Sequence, residues 1–197
     1  MFQKYLMHTL LLLAVAFFLS SCTGVQVQPT ASNFTQPDLT LELLEVPQYD
    51  GYWYYSKGVE PTKGEPGDRG APLPLSFLLN VHNPNPYTIT LDSLRFTVSF
   101  EGFDLITVNN SDEYLIPGKS TDQIRVNTMI TARSALLSLL VTGGFKLKEK
   151  GWSPWDALER WWTKIPAYEV PVAMKDGSAT FSADGVTKVM PFELSFP

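Results

Sequence analysis

The sequence predicts a mainly β protein, an antiparallel β-sandwich of about seven strands with one helical segment inserted. Three observations predict it. Apolar side chains recur at every second residue in short runs, turn-forming pairs separate those runs, and a helical period replaces the strand period once, between residues 131 and 165.

The stretch from Leu75 to Gly102 organises the remainder. Leu75, Phe77, Leu79 and Val81 alternate with Ser76, Leu78, Asn80 and His82, as in a half-buried strand. Asn83-Pro84-Asn85-Pro86 ends it, because each proline lacks an N–H and holds the residue before it extended. The next strand carries Ile89 and Leu91 on one parity and Leu94, Phe96, Val98 and Phe100 on the other. A β-bulge at Asp92-Ser93 brings all six to one core. Upstream, Leu39, Leu41 and Leu43 alternate with Thr40, Glu42 and Leu44 in a first strand ending near Val46. Downstream, Ile124, Val126, Thr128 and Ile130 face inward on the even positions. Tyr168, Val170, Val172 and Met174 alternate, Asp176-Gly177 reads as a hairpin turn, and Ala179, Phe181 and Ala183 return. Asp184-Gly185 turns again before Phe192, Leu194 and Phe196. Short strands punctuated in this way fit an immunoglobulin- or fibronectin-III-like sandwich.

At Thr131, a natural N-cap, the period changes. Ala135, Leu136, Leu139, Leu140 and Phe145 read as an apolar helix interrupted by Gly143-Gly144. A second helix starts at Ser153-Pro154-Trp155-Asp156, with serine as cap, proline at the first position and aspartate at the positive end. Trp155, Leu158 and Trp162 share a stripe with Trp161 beside them. Two readings are open: the tryptophans close one end of the sandwich, or with Lys146, Lys148 and Lys150 they meet a membrane interface.

Residues 48–74 form a long loop. Tyr49, Tyr52, Trp53, Tyr54 and Tyr55 cluster in it, and three Gly-x-y triplets follow, too few for a collagen helix. With Trp155, Trp161 and Trp162, the residues Tyr52, Trp53, Tyr54 and Tyr55 are candidates for a binding surface, since Tyr and Trp pair large apolar area with polar tips; the alternative is that the rings cover the sandwich.

Several of these residues occur in a recognisable order. Asn80, Asn83, Pro84, Asn85 and Pro86 are followed by Leu91, Leu94, Phe96 and Gly102, and then by the turn Ile116-Pro117-Gly118. This pattern resembles the group 2 late-embryogenesis-abundant (LEA) family, which contains the WHy (water stress and hypersensitive response) domain. The likeness covers roughly residues 39–130. It implies a small β-sandwich with a helix and a protective or binding role without catalysis. The long loop of residues 48–74 departs from the family pattern.

The N-terminal segment reads as a targeting signal. Residues 1–21 hold one charged side chain, Lys4, and an apolar run from Leu10 to Leu19, too short for a span of ~20 residues. Leu19-Ser20-Ser21-Cys22 resembles a bacterial lipoprotein cleavage box, so the single cysteine, Cys22, is the expected lipidation site. Two or three acyl chains, such as palmitate, hold a protein firmly at ~0.8 kcal/mol per buried methylene. Residues 22–37 then form a lipidated cysteine and polar tether, and 38–197 a single domain. The expected location is extracytoplasmic and lipid-anchored. In a cell with two membranes, Thr23 after the cysteine resembles the sorting rule for the outer membrane, periplasmic face.

The formal net charge of −5 on a chain with scattered basic residues disfavours nucleic acid as a partner. Beyond the leader, His82 is the single histidine, and no cysteine follows Cys22. A Cys/His zinc site, a Cys-His dyad, a Gly-x-Ser-x-Gly elbow and a nucleotide-binding glycine loop are all missing from the sequence. Asn109 to Glu113 offers oxygens without the spacing of a calcium loop. Neither cofactor nor metal nor catalytic residue is expected. The expected function is a non-catalytic envelope lipoprotein that protects under stress or binds envelope proteins or lipids. Envelope assembly or lipid handling through the aromatic surface is the alternative, and a hydrolase built around His82 the remote one.

Overall fold

The computed structural model describes residues 27–47 and 72–196. Cys22 and the Tyr52–Tyr55 cluster lie outside the described residues. Among those described, eight strands build two antiparallel sheets. β1 (Asp38–Glu45), β2 (Pro72–His82) and β6 (Thr121–Thr131) form one in the order β1-β2-β6. β3 (Ile89–Phe100), β4 (Phe103–Asn110), β7 (Val172–Ala183) and β8 (Val186–Phe196) form the other in the order β4-β3-β7-β8, with β5 (Tyr114–Ile116) pairing β3.

The alternation decides what is buried. Leu73, Leu75, Phe77, Leu79 and Val81 of β2 and Ile124, Val126 and Ile130 of β6 line one inner face. Leu91, Leu94, Phe96, Val98 and Phe100 of β3 and Met174, Ala179 and Phe181 of β7 line the other. Phe77 and Phe96 meet edge-on across the layers, ring centroids 5.3 Å apart. The β3–β7 register slips between Leu91 and Ser93, so a bulge at Asp92 does bring both parities of β3 to one core.

Four strand readings are corrected. β2 begins at Pro72, inside the stretch read as a loop over residues 48–74, because Leu73 is core. β7 begins at Val172, because Tyr168 takes a left-handed φ of 58° that no strand continues. β1 slips between Leu41 and Leu43, so Leu44 takes the buried place expected for Leu43, which is left at the surface. Asp176-Gly177 is a bulge within β7 rather than a hairpin turn. The strand runs on to Ala183, and a Cβ at Gly177 would lie 2.5 Å from the Phe192 carbonyl oxygen of β8. The true hairpin is at Asp184 (φ 43°) and Gly185 (φ 83°).

Residues 132–150 also form one rod, where Gly143-Gly144 was expected to interrupt the helix. α1 (Ala132–Ser138), a π turn (Leu139–Gly143) and α2 (Gly144–Lys150) are continuous. Its buried residues, Ala135, Leu139, Gly143 and Leu147, recur every fourth position. At 3.6 residues per turn such a row drifts by ~40° per step, and the wider π turn takes up the extra residue and keeps the row facing the sandwich. Gly143 faces inward, where a Cβ would sit 3.1 Å from the Leu139 side chain and 3.3 Å from the Phe103 ring. After Gly151, in left-handed geometry, α3 (Pro154–Lys164) begins.

Candidate functional site

The register places the two notable regions at opposite ends. Asp38 pairs His82 and Pro72 pairs Thr131, so the Asn-Pro corner and the start of β1 share one end and the helices cap the other.

At the corner, Asn83 and Asn85 are buried. The Asn83 side-chain amide donates toward the carbonyls of Tyr87 (2.8 Å), Ile116 (3.0 Å) and Pro117 (3.1 Å). Its Oδ1 accepts from the backbone N–H and side-chain amide of Asn85. Asn85 then grips Thr35 on both sides, accepting from its N–H at 2.7 Å and donating to its carbonyl at 2.8 Å. One pair of amides thus ties the segment entering β1, the β2–β3 turn and the β5–β6 turn. The adjacent Pro84 and Pro86 stop the ladder, and Gly118 packs so closely under Pro86 that a Cβ would come within 2.7 Å of its backbone. Asn80 lies within β2 between Thr40 and Gln123. His82 ends the same strand, its Nδ1 3.0 Å from the Thr121 hydroxyl.

The cap is built from its caps and its core. Thr131 and Ser134 form a capping box for α1, and Ser153 and Asp156 one for α3. α3 buries Ala157, Leu158, Trp161 and Trp162. Trp161 packs on Phe100 and Phe103, centroids 5.6 Å and 5.4 Å away. The β3–β4 turn, Glu101 (φ 47°) and Gly102 (φ 88°), clamps this helix: Glu101 accepts a forked pair of bonds from Arg160 and one of 3.0 Å from the Trp161 indole. Burial pushes the Glu101 carboxyl up. The hydrogen bonds from Arg160 and Trp161, with the charges of Arg160 and Lys150, outweigh that and hold it below its ordinary 4.5. The Glu101 hydrogen bond in turn holds Arg160 above its ordinary value. Lys146 donates to the Gly102 carbonyl, and Lys150 sits 4.9 Å over the Trp152 ring.

Of the tryptophans taken from the sequence as binding candidates, Trp161 and Trp162 do not lie on the surface; they are core, as the end-closing reading had it. Trp155 is exposed, because the inward stripe of α3 runs through Ala157, Leu158, Trp161 and Trp162 and leaves it behind. The surface feature that the sequence reading passed over is on the preceding rod. Leu137 (56% exposed), Leu140 (63%), Val141 (81%) and Phe145 (92%) face outward, opposite the buried row. The signal was the four-residue spacing of Leu137, Val141 and Phe145, masked by reading Gly143-Gly144 as a break. Among the described residues, no cluster of His, Cys, Asp and Glu is placed to hold a metal ion, and no helix is long and apolar enough to cross a membrane.

The geometry defines an antiparallel β-sandwich capped by helices. No family model matches the chain, and no curated protein matches it in sequence. Solved structures similar to this chain include three that follow. A protein from Archaeoglobus fulgidus is 12% identical, with TM-score 0.39, covering 82% of this chain and 94% of its own. A structural-genomics target solved by X-ray is 12% identical, with TM-score 0.41, covering 85% and 91%. A candidate LEA protein solved in solution is 13% identical, with TM-score 0.40, covering 99% and 86%. The fold class itself rests on the strand pairing and not on these likenesses.

Proposed function

We propose that the chain is a non-catalytic, lipid-anchored envelope protein, held outside the cytoplasm through Cys22. Its WHy-like sandwich protects under stress or binds other envelope molecules, protein or lipid. The observation that carries the reading is the outward apolar row on the helical cap. Hydrocarbon left in water on a helix whose other face is already packed is surface offered to a partner. The Asn-Pro motif supports it indirectly. Its amides are consumed in holding three segments together, which leaves the opposite end for contacts. Exposed Trp155, at the start of α3, also favours the second reading, an assembly or lipid-handling accessory protein.

The test is suppression of heat aggregation of a reporter enzyme by the chain from Thr23 onward, made without lipid. The described hydrophobic core lies wholly between Phe34 and Met190, so this form keeps it. Suppression is expected near equimolar ratio, lost in the Val141→Ser/Phe145→Ser double variant. Unchanged aggregation at several-fold molar excess would contradict a protective role. Mass spectrometry of the exported chain tests the anchor: a diacylglycerol-modified Cys22 is expected, and an unmodified thiol would contradict it.

A further inference from the structure

We infer that the outward row Leu137, Leu140, Val141 and Phe145, on a net-basic helical segment, docks on an anionic lipid surface without help from an acyl chain. The inference rests on the reading of the cap as the working end of the molecule, and it names the occupant.

Three features select lipid. First, the row presents hydrocarbon alone. The hydroxyls beside it are already bonded, Ser138 donating to the Leu105 carbonyl of β4 and Thr142 to the Ser138 carbonyl of its own helix. A protein partner is fixed by directed hydrogen bonds around an apolar centre, whereas acyl chains ask for none. Second, the charge is complementary. On a chain of net charge −5, residues 132–150 are net basic, with Arg133, Lys146, Lys148 and Lys150 against one acid, Glu149. Lys146 and Lys150 also reach back to the Gly102 carbonyl and the Trp152 ring, so it is the net charge of the segment that is offered. Anionic headgroups favour such a segment by ~1 kcal/mol for each basic residue near the surface, about fivefold in partitioning. A second copy of the chain would bring two net-basic segments face to face, with Glu149 the one acid on each. Third, the shape suits a plane. The row runs along one rod for roughly 12 Å (eight steps of ~1.5 Å from Leu137 to Phe145) and forms a ridge of side chains each more than half exposed. A helix lying in the interface buries such a ridge by ~5–10 Å.

The chain from Thr23 onward, unlipidated, is mixed with vesicles of phosphatidylcholine alone or with three-tenths phosphatidylglycerol, and binding is read by co-sedimentation. Stronger binding to the anionic vesicles is expected, at least tenfold, weakening as salt is raised. Val141→Asp and Phe145→Asp should each cut it tenfold or more, and Val141→Ser/Phe145→Ser should do so with no charge change. Val189→Asp, at an exposed apolar site on β8, should bind like the parent. All variants should melt with the parent. Absence of vesicle binding, equal binding by the ridge variants, or a concentration-dependent dimer abolished by Val141→Ser/Phe145→Ser would overturn the inference. If vesicle binding fails while that variant still loses aggregation suppression, the lipid assignment falls and the cap as a working surface stands.

Discussion

At the scale of single residues, one buried amide ties together more of the fold than any other side chain among the described residues. Asn83 has two amide hydrogens shared among three carbonyls and an oxygen that receives two donors from Asn85. Asn83→Ala leaves these groups buried without partners, at ~1–3 kcal/mol for each unsatisfied group. We expect a loss of about 3 kcal/mol, seen as a fall in melting temperature of roughly 6–12 °C by calorimetry. Asn83→Asp keeps the acceptor but not the donors and should be no milder. Glu101 acts differently, through charge. Because its folded pKa is depressed, its clamp on Arg160 and Trp161 stabilises the fold fully above pH 4.5 and is lost as the pH falls through the lower folded value. With the Arg160 side chain 41% exposed, water screens the pair, so the contribution is about 1 kcal/mol. Tryptophan emission should therefore change in acid below pH 4.5 ahead of global unfolding. In Glu101→Gln that early step should be missing, and its persistence would assign it to another carboxylate.

At the scale of elements, the sequence was informative where two periods agreed and misleading where a bulge or a π turn shifted the phase. The β3 bulge was legible because six apolar side chains on mixed parity have one simple solution, an extra residue at Asp92. The slip in β1 was not, since Leu43 and Leu44 are both apolar and either parity fits. Asp176-Gly177 looked like a hairpin because the same two residue types serve tight turns and bulges; only the backbone of β8 at Phe192 shows why glycine is needed. Gly177→Ala is expected to force β7 and β8 apart and to cost about 1–3 kcal/mol, as overpacking does. Gly185→Ala, in open space at φ 83°, strains the backbone alone, so urea midpoints should fall further for Gly177→Ala. Equal midpoints would remove the packing explanation. Gly143 is the third case: read as a helix breaker, it lies in a π turn packed on Phe103.

At the scale of the whole molecule, the sandwich separates its tasks by end. The chain enters beside the Asn-Pro corner, where side-chain amides fix the turns, and the helical cap closes the far end with Trp161 and Trp162 inside. β2 spans the distance between them, roughly 36 Å at 3.3 Å per residue over its eleven residues. The motif that dominates the sequence is therefore structural, and the candidate surface is written in residues that no motif marks. Strand alternation reveals which residues point inward. Which apolar residues remain outward follows only from how the rod lies on the sheets, and this is why Trp155 and Phe145 could not be told from Trp161 and Leu147 by composition. The most direct measurement is the emission of a Phe145→Trp variant, taken as the difference from the parent chain, as anionic vesicles are added. Phe145 is 92% exposed, so the new indole should emit as a solvated ring in buffer and shift to the blue on the vesicles. A difference spectrum that stays at the solvated wavelength while the protein sediments with lipid would contradict the cap as the contacting surface.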